Sequence, residues 1–84
     1  MAKYDELLTR ILRGTADANI RFDDLRHLLR RLGFEERIRG DHHIFRKAGI
    51  IEKPNLQREG NKAKVYQVRQ VRAIILKYGL GGKV

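Results

Sequence analysis

Phe34-Glu35-Glu36-Arg37-Ile38-Arg39-Gly40-Asp41-His42-His43-Ile44-Phe45-Arg46-Lys47 is the stretch that decides how this chain folds. Phe34, Glu36 and Ile38 alternate with Glu35, Arg37 and Arg39, the period-two pattern of a half-buried strand. Gly40-Asp41 is a turn pair, and His42 to Lys47 reads as the strand returning from it. Neighbours on a strand point to opposite faces, so His42 and His43 diverge. Phe45 shares a face with His43, whereas Ile44 and Arg46 share one with His42. The larger apolar ring marks the buried face, with Ile44 as a competing anchor. On that reading His43 turns inward, its ring nitrogens tied to backbone groups, and His42 projects from the open side of the sheet.

Upstream of the hairpin the period changes. Phe22, Leu25, Leu28, Leu29 and Leu32 repeat at helical spacing. Asp23 and Asp24 occupy the first turn and Arg30 and Arg31 the last, each on the side that the helix dipole favours. Gly33 is a natural residue just past the end. Tyr4, Leu7, Leu8 and Ile11 mark an earlier helix that Gly14 can terminate, and Thr15 to Ile20 read as a loop. Downstream, Ala48-Gly49 turns the chain, and Ile50 to Leu56 read as a third strand that Pro54 confines to an edge or a bend. Arg58 to Asn61 read as a polar loop. A last helix is expected from about Ala63 to Tyr78, with Val68, Val71, Ile75 and Tyr78 on its apolar face. Residues 79–84, with Gly79, Gly81 and Gly82, form a flexible tail. The order is α-α-β-β-β-α, an α+β fold with a three-stranded antiparallel sheet and helices on one face.

The 84 residues make a single domain, 1–84, with a modest core. No cysteine is present, so neither disulfides nor a thiolate metal site hold it together. No apolar run reaches the roughly 18 residues of a membrane span, and the N-terminus lacks the layout of a signal peptide. A cytoplasmic location is the default. Net charge is +9, unevenly spread: residues 1–40 carry nine basic and seven acidic side chains, residues 41–84 ten and three. A surface that meets phosphates is the natural reading of that imbalance.

His42 is the candidate for proton transfer near neutral pH. His27 lies between core positions of the second helix and nothing singles it out. Metal chemistry has little to work with, because adjacent strand histidines diverge and the three acids after residue 40 do not cluster. No metal and no cofactor is expected. Lys62, Lys64, Tyr66 and Gln67 straddle the start of the last helix, where free N–H groups and the dipole suit phosphate. Lys62 and Lys64, with Arg46, Arg69 and Arg72, form the expected RNA-binding set.

Taken together, Phe22-x-x-Leu25-x-x-Leu28-Leu29-x-x-Leu32-Gly33-Phe34, Arg39-Gly40-Asp41-His42-His43-Ile44-Phe45, Asn55-Leu56-Gln57 and Lys62-Ala63-Lys64-x-Tyr66-Gln67-Val68 resemble the HicA (YcfA-like) family of toxin–antitoxin mRNA interferases. The resemblance spans residues 22–76, and the Gly-x-His segment is its most specific part. It implies a fold similar to the double-stranded-RNA-binding domain, and metal-independent cleavage of mRNA that blocks translation. It also implies silencing by a HicB-type antitoxin. Carried over by position, the catalytic histidine is His42, with Gly40, Asp41, His43, Tyr66 and Gln67 in possible supporting roles. Two departures stand out. Asp41 occupies the place of the family's usual serine, and residues 1–20 add a helix and loop that shorter members lack. The rival from another class is a non-catalytic module of the double-stranded-RNA-binding type. A DNA reader built on residues 22–32 is weaker, since that helix needs its apolar face for the core.

Overall fold

The computed structural model describes residues 2–82. Helix α1 runs over Ala2–Arg13 and α2 over Phe22–Arg31, joined by a 3-10 turn at Asp17–Asn19. Strands β1 (Glu35–Arg39), β2 (His42–Arg46) and β3 (Asn55–Leu56) follow, then β4 (Arg58–Glu59), β5 (Lys62–Ala63) and helix α3 (Val65–Tyr78). The strands form two antiparallel sheets, β1-β2-β3 and β4-β5.

Each helix buries the stripe its periodicity defines. Leu7, Leu8 and Ile11 of α1, Phe22, Leu25, Leu28 and Leu29 of α2, and Val68, Val71, Ile74 and Ile75 of α3 join one core with Phe34, Phe45 and Leu56 from the sheet. The end of α2 is stopped by Gly33, whose φ of +101° suits a residue without a Cβ. Its N–H reaches the Arg30 carbonyl at 3.0 Å, and that of Phe34 reaches Leu29 at 3.0 Å. This paired closure satisfies carbonyls left open at the helix end and aims Phe34 back into the core. The β1–β2 hairpin pairs Arg39 with His42 across Gly40-Asp41. Gly40 has φ +58° and the φ of Asp41 is not positive, the sign pattern of a type II′ turn.

Four expectations are corrected. The third strand shrinks from Ile50–Leu56 to Asn55–Leu56. The residues before it are drawn off towards the end of α3: Glu52 accepts from Lys77 at 2.8 Å and from the Tyr78 hydroxyl at 2.6 Å. Ile51, left 84% exposed, turns its N–H to that hydroxyl. Pro54 still serves the sheet, its carbonyl accepting from Phe45 N–H at 2.8 Å. Second, Arg58 to Asn61 belong to a tight hairpin, Arg58 pairing with Ala63 and Glu59 with Lys62 around Gly60-Asn61. It is pinned by Phe22 N–H to Asn61 O and Ala63 N–H to Ile20 O, both 2.9 Å. Because Lys62 and Ala63 are in that hairpin, α3 begins at Val65. Third, residues 80–82 are not a frayed tail but a 3-10 turn that buries Leu80; Lys83 and Val84 lie outside the described residues. Fourth, Ile38 stays 55% exposed although its strand face is the inward one.

Candidate functional site

The inner face of the sheet carries a charged network. Glu36, with a side chain only 6% exposed, accepts from Arg26 Nε at 2.6 Å and from Arg26 Nη2 at 3.1 Å. The same carboxylate lies 2.8 Å from His43 Nδ1. His43 is therefore buried, as its strand position implies, but its partner is a carboxylate and not the backbone. Its ring meets Phe22 edge-on, with centroids 5.0 Å apart. Arg26 also holds Asp23 at 2.9 Å, and Asp23 in turn accepts from Arg58 at 3.0 Å. Burial pushes the Glu36 carboxyl up, yet the hydrogen bonds from Arg26 and His43 win and leave it below the ordinary glutamate range. Hydrogen bonding to Arg26 likewise lowers Asp23. A fully compensated network of this sort holds α2 to β1 and β2.

The outer face is different. His42 is exposed, and its Nδ1 lies 3.1 Å from Asn55 Oδ1 on β3. Strand pairing places Arg39 directly opposite His42, Arg37 opposite Ile44, and Glu35 opposite Arg46. Residues so paired have Cβ atoms about 4.5–5.5 Å apart, so Arg39 is the cross-strand neighbour of His42. A groove of about 220 Å³ runs along this face, lined by Arg37, Arg39, Arg46, Lys53 and Ile44 together with Glu35 and Glu36; His42 and Asn55 lie outside its lining. Among the described residues, Arg37, Arg39 and Lys53 make no ion pair. Arg46 has only a long, exposed contact of 3.7 Å with Glu35, worth little in water.

The remaining expected side chains are not all drawn to this face. Lys62 sits in the second sheet and reaches Asn19 Oδ1 at 3.1 Å. Lys64 precedes α3, and Tyr66 is exposed on its first turn. Gln67 is fully buried. In the orientation that satisfies both ends of its amide, the oxygen accepts from Gln57 N–H at 2.8 Å and the nitrogen donates to Gln57 O at 3.1 Å. That is a structural role, tying α3 to the segment between β3 and β4. Arg72 is also taken up internally: its guanidinium grips Asp17 at 2.9 and 3.1 Å and donates to Ile11 O at 3.0 Å. The hydrogen bonds from Arg72 hold the Asp17 carboxyl low, and Asp17 raises Arg72. Arg69, mostly exposed, stands 3.6 Å from the same carboxylate. Gly40 supplies the turn, and Asp41 is exposed at the hairpin tip. Asp41 and His43 line a second cleft of about 360 Å³ with Gln57 and Arg58.

Arg37, Arg39, Lys53 and Asn55 are the site residues that sequence reasoning missed. For the first two a signal existed: the alternation through Arg37 and Arg39, folded about Gly40-Asp41, sets Arg39 across from His42. Asn55 falls in a segment that carries the family resemblance, but its place beside His42 is not legible there, because its register depends on where the chain rejoins the sheet after Pro54.

Among the described residues no three His, Asp, Glu or Cys side chains gather as a metal site would need. Among them, too, no helix is long and apolar enough to cross a membrane. Compared with family models, with curated proteins and with solved structures, the chain matches none.

Proposed function

We propose that this chain is a metal-independent endoribonuclease, the mRNA-cleaving toxin of a type II toxin–antitoxin pair of the HicA kind, acting in the cytoplasm. The observation that carries the reading is His42: exposed, bonded through Nδ1 to Asn55, and set opposite Arg39, which lines a groove where four basic side chains outnumber two glutamates. Single-stranded mRNA lies along the groove with its phosphates on Arg37, Arg39, Arg46 and Lys53. His42 Nε2 removes the proton from a ribose 2′-hydroxyl as that oxygen attacks the adjacent phosphorus. The P–O5′ bond breaks, the departing 5′-oxygen takes a proton from water, His42 returns its own to solvent, and a 2′,3′-cyclic phosphate remains on the upstream fragment. RNA supplies its own nucleophile, so one imidazole suffices for acid–base work, typically worth about 10²–10⁴-fold. Arg39 balances charge as it builds on the phosphoryl oxygens.

The finer fold belongs to the same reading. The run α2-β1-β2-β3-α3, with α2 against the inner sheet face, supports a fold of the double-stranded-RNA-binding kind to which α1 and the β4–β5 hairpin are additions. A HicB-type antitoxin that covers the cationic face is the expected protein partner.

His42→Ala should lose cleavage of an mRNA transcript by about 10²–10⁴-fold while keeping wild-type RNA affinity, and chelator should leave wild-type cleavage unchanged. A His42→Ala protein that cuts at the wild-type rate ends the assignment. The second reading, a non-catalytic duplex-RNA module, draws on Lys62 and Lys64 next to the start of α3. It predicts binding to duplex RNA, no cleavage and no growth arrest when the chain is induced alone in bacteria.

A further inference from the structure

We propose that Asn55 is the positioning residue of His42, fixing its imidazole as the Nδ1–H tautomer so that only Nε2 exchanges a proton with substrate. The catalytic half of this rests on the nuclease reading; the tautomer is a property of the chain by itself.

The register of β2 on β3 sets Ile44 opposite Asn55. Asn55 therefore lies diagonally across from His42 on the same open face, within reach of a long side chain. The backbone there is fixed, because the preceding Pro54 carbonyl accepts from Phe45 N–H at 2.8 Å. The Asn55 atom facing the ring is the amide oxygen, at 3.1 Å from Nδ1. An amide oxygen only accepts, so Nδ1 must carry its hydrogen to make the bond. It carries that hydrogen in the neutral ring and in the imidazolium alike, so the contact survives each proton transfer and the ring does not swing. A histidine's second nitrogen is set by what the first one bonds.

The choice of an amide has its own logic. His43, on the other face, is held by the Glu36 carboxylate, whose charge Arg26 compensates. A carboxylate at Asn55 would place negative charge on the face that receives phosphates. Asn55 gives the orientation without the charge.

Ring-nitrogen NMR of the folded full chain, above the titration of His42, decides the point. The wild type should show His42 as the Nδ1–H tautomer, Asn55→Ala a mixture with the Nε2–H form, and Asn55→Asp the Nδ1–H form retained. In cleavage assays Asn55→Ala should lower kcat by about 10–100-fold, the scale on which partners that orient a working imidazole act, with KM little changed. Asn55→Asp should restore kcat towards wild type relative to Asn55→Ala while raising KM through repulsion of phosphate, and should move the pH–rate profile upward, since a carboxylate favours the imidazolium. A wild-type ring in the Nε2–H form overturns the proposal, as does Asn55→Ala with unaltered tautomer and kcat. Should the wild type cleave no RNA, the nuclease reading falls with the catalytic half, and the spectra alone decide whether Asn55 fixes the ring.

Discussion

His42 and His43 are neighbours in sequence on opposite faces of β2, and each is bonded through Nδ1 to a side chain on an adjacent strand. There the likeness ends. Inside, His43 meets a carboxylate, an arginine and a phenyl ring, and every charge has a partner. Outside, His42 meets a neutral amide, and of the four basic side chains in the adjacent groove Arg37, Arg39 and Lys53 make no ion pair among the described residues. Charge that is compensated holds a fold together; charge left open is available to a ligand. One strand thus separates a buried, charge-paired histidine from an exposed one by a single residue step.

The largest effect should come from testing the two rings side by side. His42→Ala should silence cleavage and leave the midpoint of urea unfolding where it was. His43→Ala should move that midpoint down and leave the folded fraction cutting within a few-fold of wild type. Equal activity losses in both would dissolve the contrast. Next, Glu36→Ala removes the shared acceptor and leaves Arg26 and His43 facing one another. Breaking a buried ion pair in this way costs about 3 kcal/mol, to be read from denaturant unfolding.

Acid should weaken the inner network as well. Glu36, Asp23 and Asp17 all titrate below their ordinary range in the fold. The stability each contributes is complete above its unfolded pKa, near 4, and is lost as pH falls through the lowered folded value. The thermal midpoint should therefore fall steadily on acidification below pH 4.5, the ordinary glutamate value. Replacing Arg72 by Met should flatten that fall, because Asp17 then keeps only the distant Arg69.

Smaller effects sharpen the outer face. Arg39→Ala should reduce the salt slope of single-stranded RNA binding by about 0.7, the loss of one phosphate contact. Lys64→Ala, off this face, should change it less; the reverse ranking would move the RNA path to the start of α3. Asp41→Ser, removing an exposed like charge at the hairpin tip, should tighten RNA binding by about two- to five-fold, the range of an exposed pair.

The helices and the β1–β2 hairpin could be read from sequence because their signals are local: apolar residues at helical spacing, Gly33 past the end of α2, Gly40-Asp41 between alternating runs. The β4–β5 hairpin could not. Arg58, Glu59, Asn61 and Lys62 show no apolar alternation, and pairing there depends on Ile20 and Phe22 from far up the chain. The true length of the third strand is not legible, since nothing local reveals that Glu52 is claimed by Lys77 and Tyr78. Sorting the cations had the same difficulty. Arg69 and Arg72 look alike on a helical wheel, yet only Arg72 is within bidentate reach of Asp17.

Arg72 also closes onto the carbonyl of Ile11, which has no exposed surface. The first helix is thus stitched to the last by a single guanidinium that also clasps the turn between α1 and α2. A version of this protein trimmed to begin at Ile20 would forfeit three core side chains and orphan that guanidinium at once. Any such trimming would have to give the flank of α3 another cover and Arg72 another acceptor.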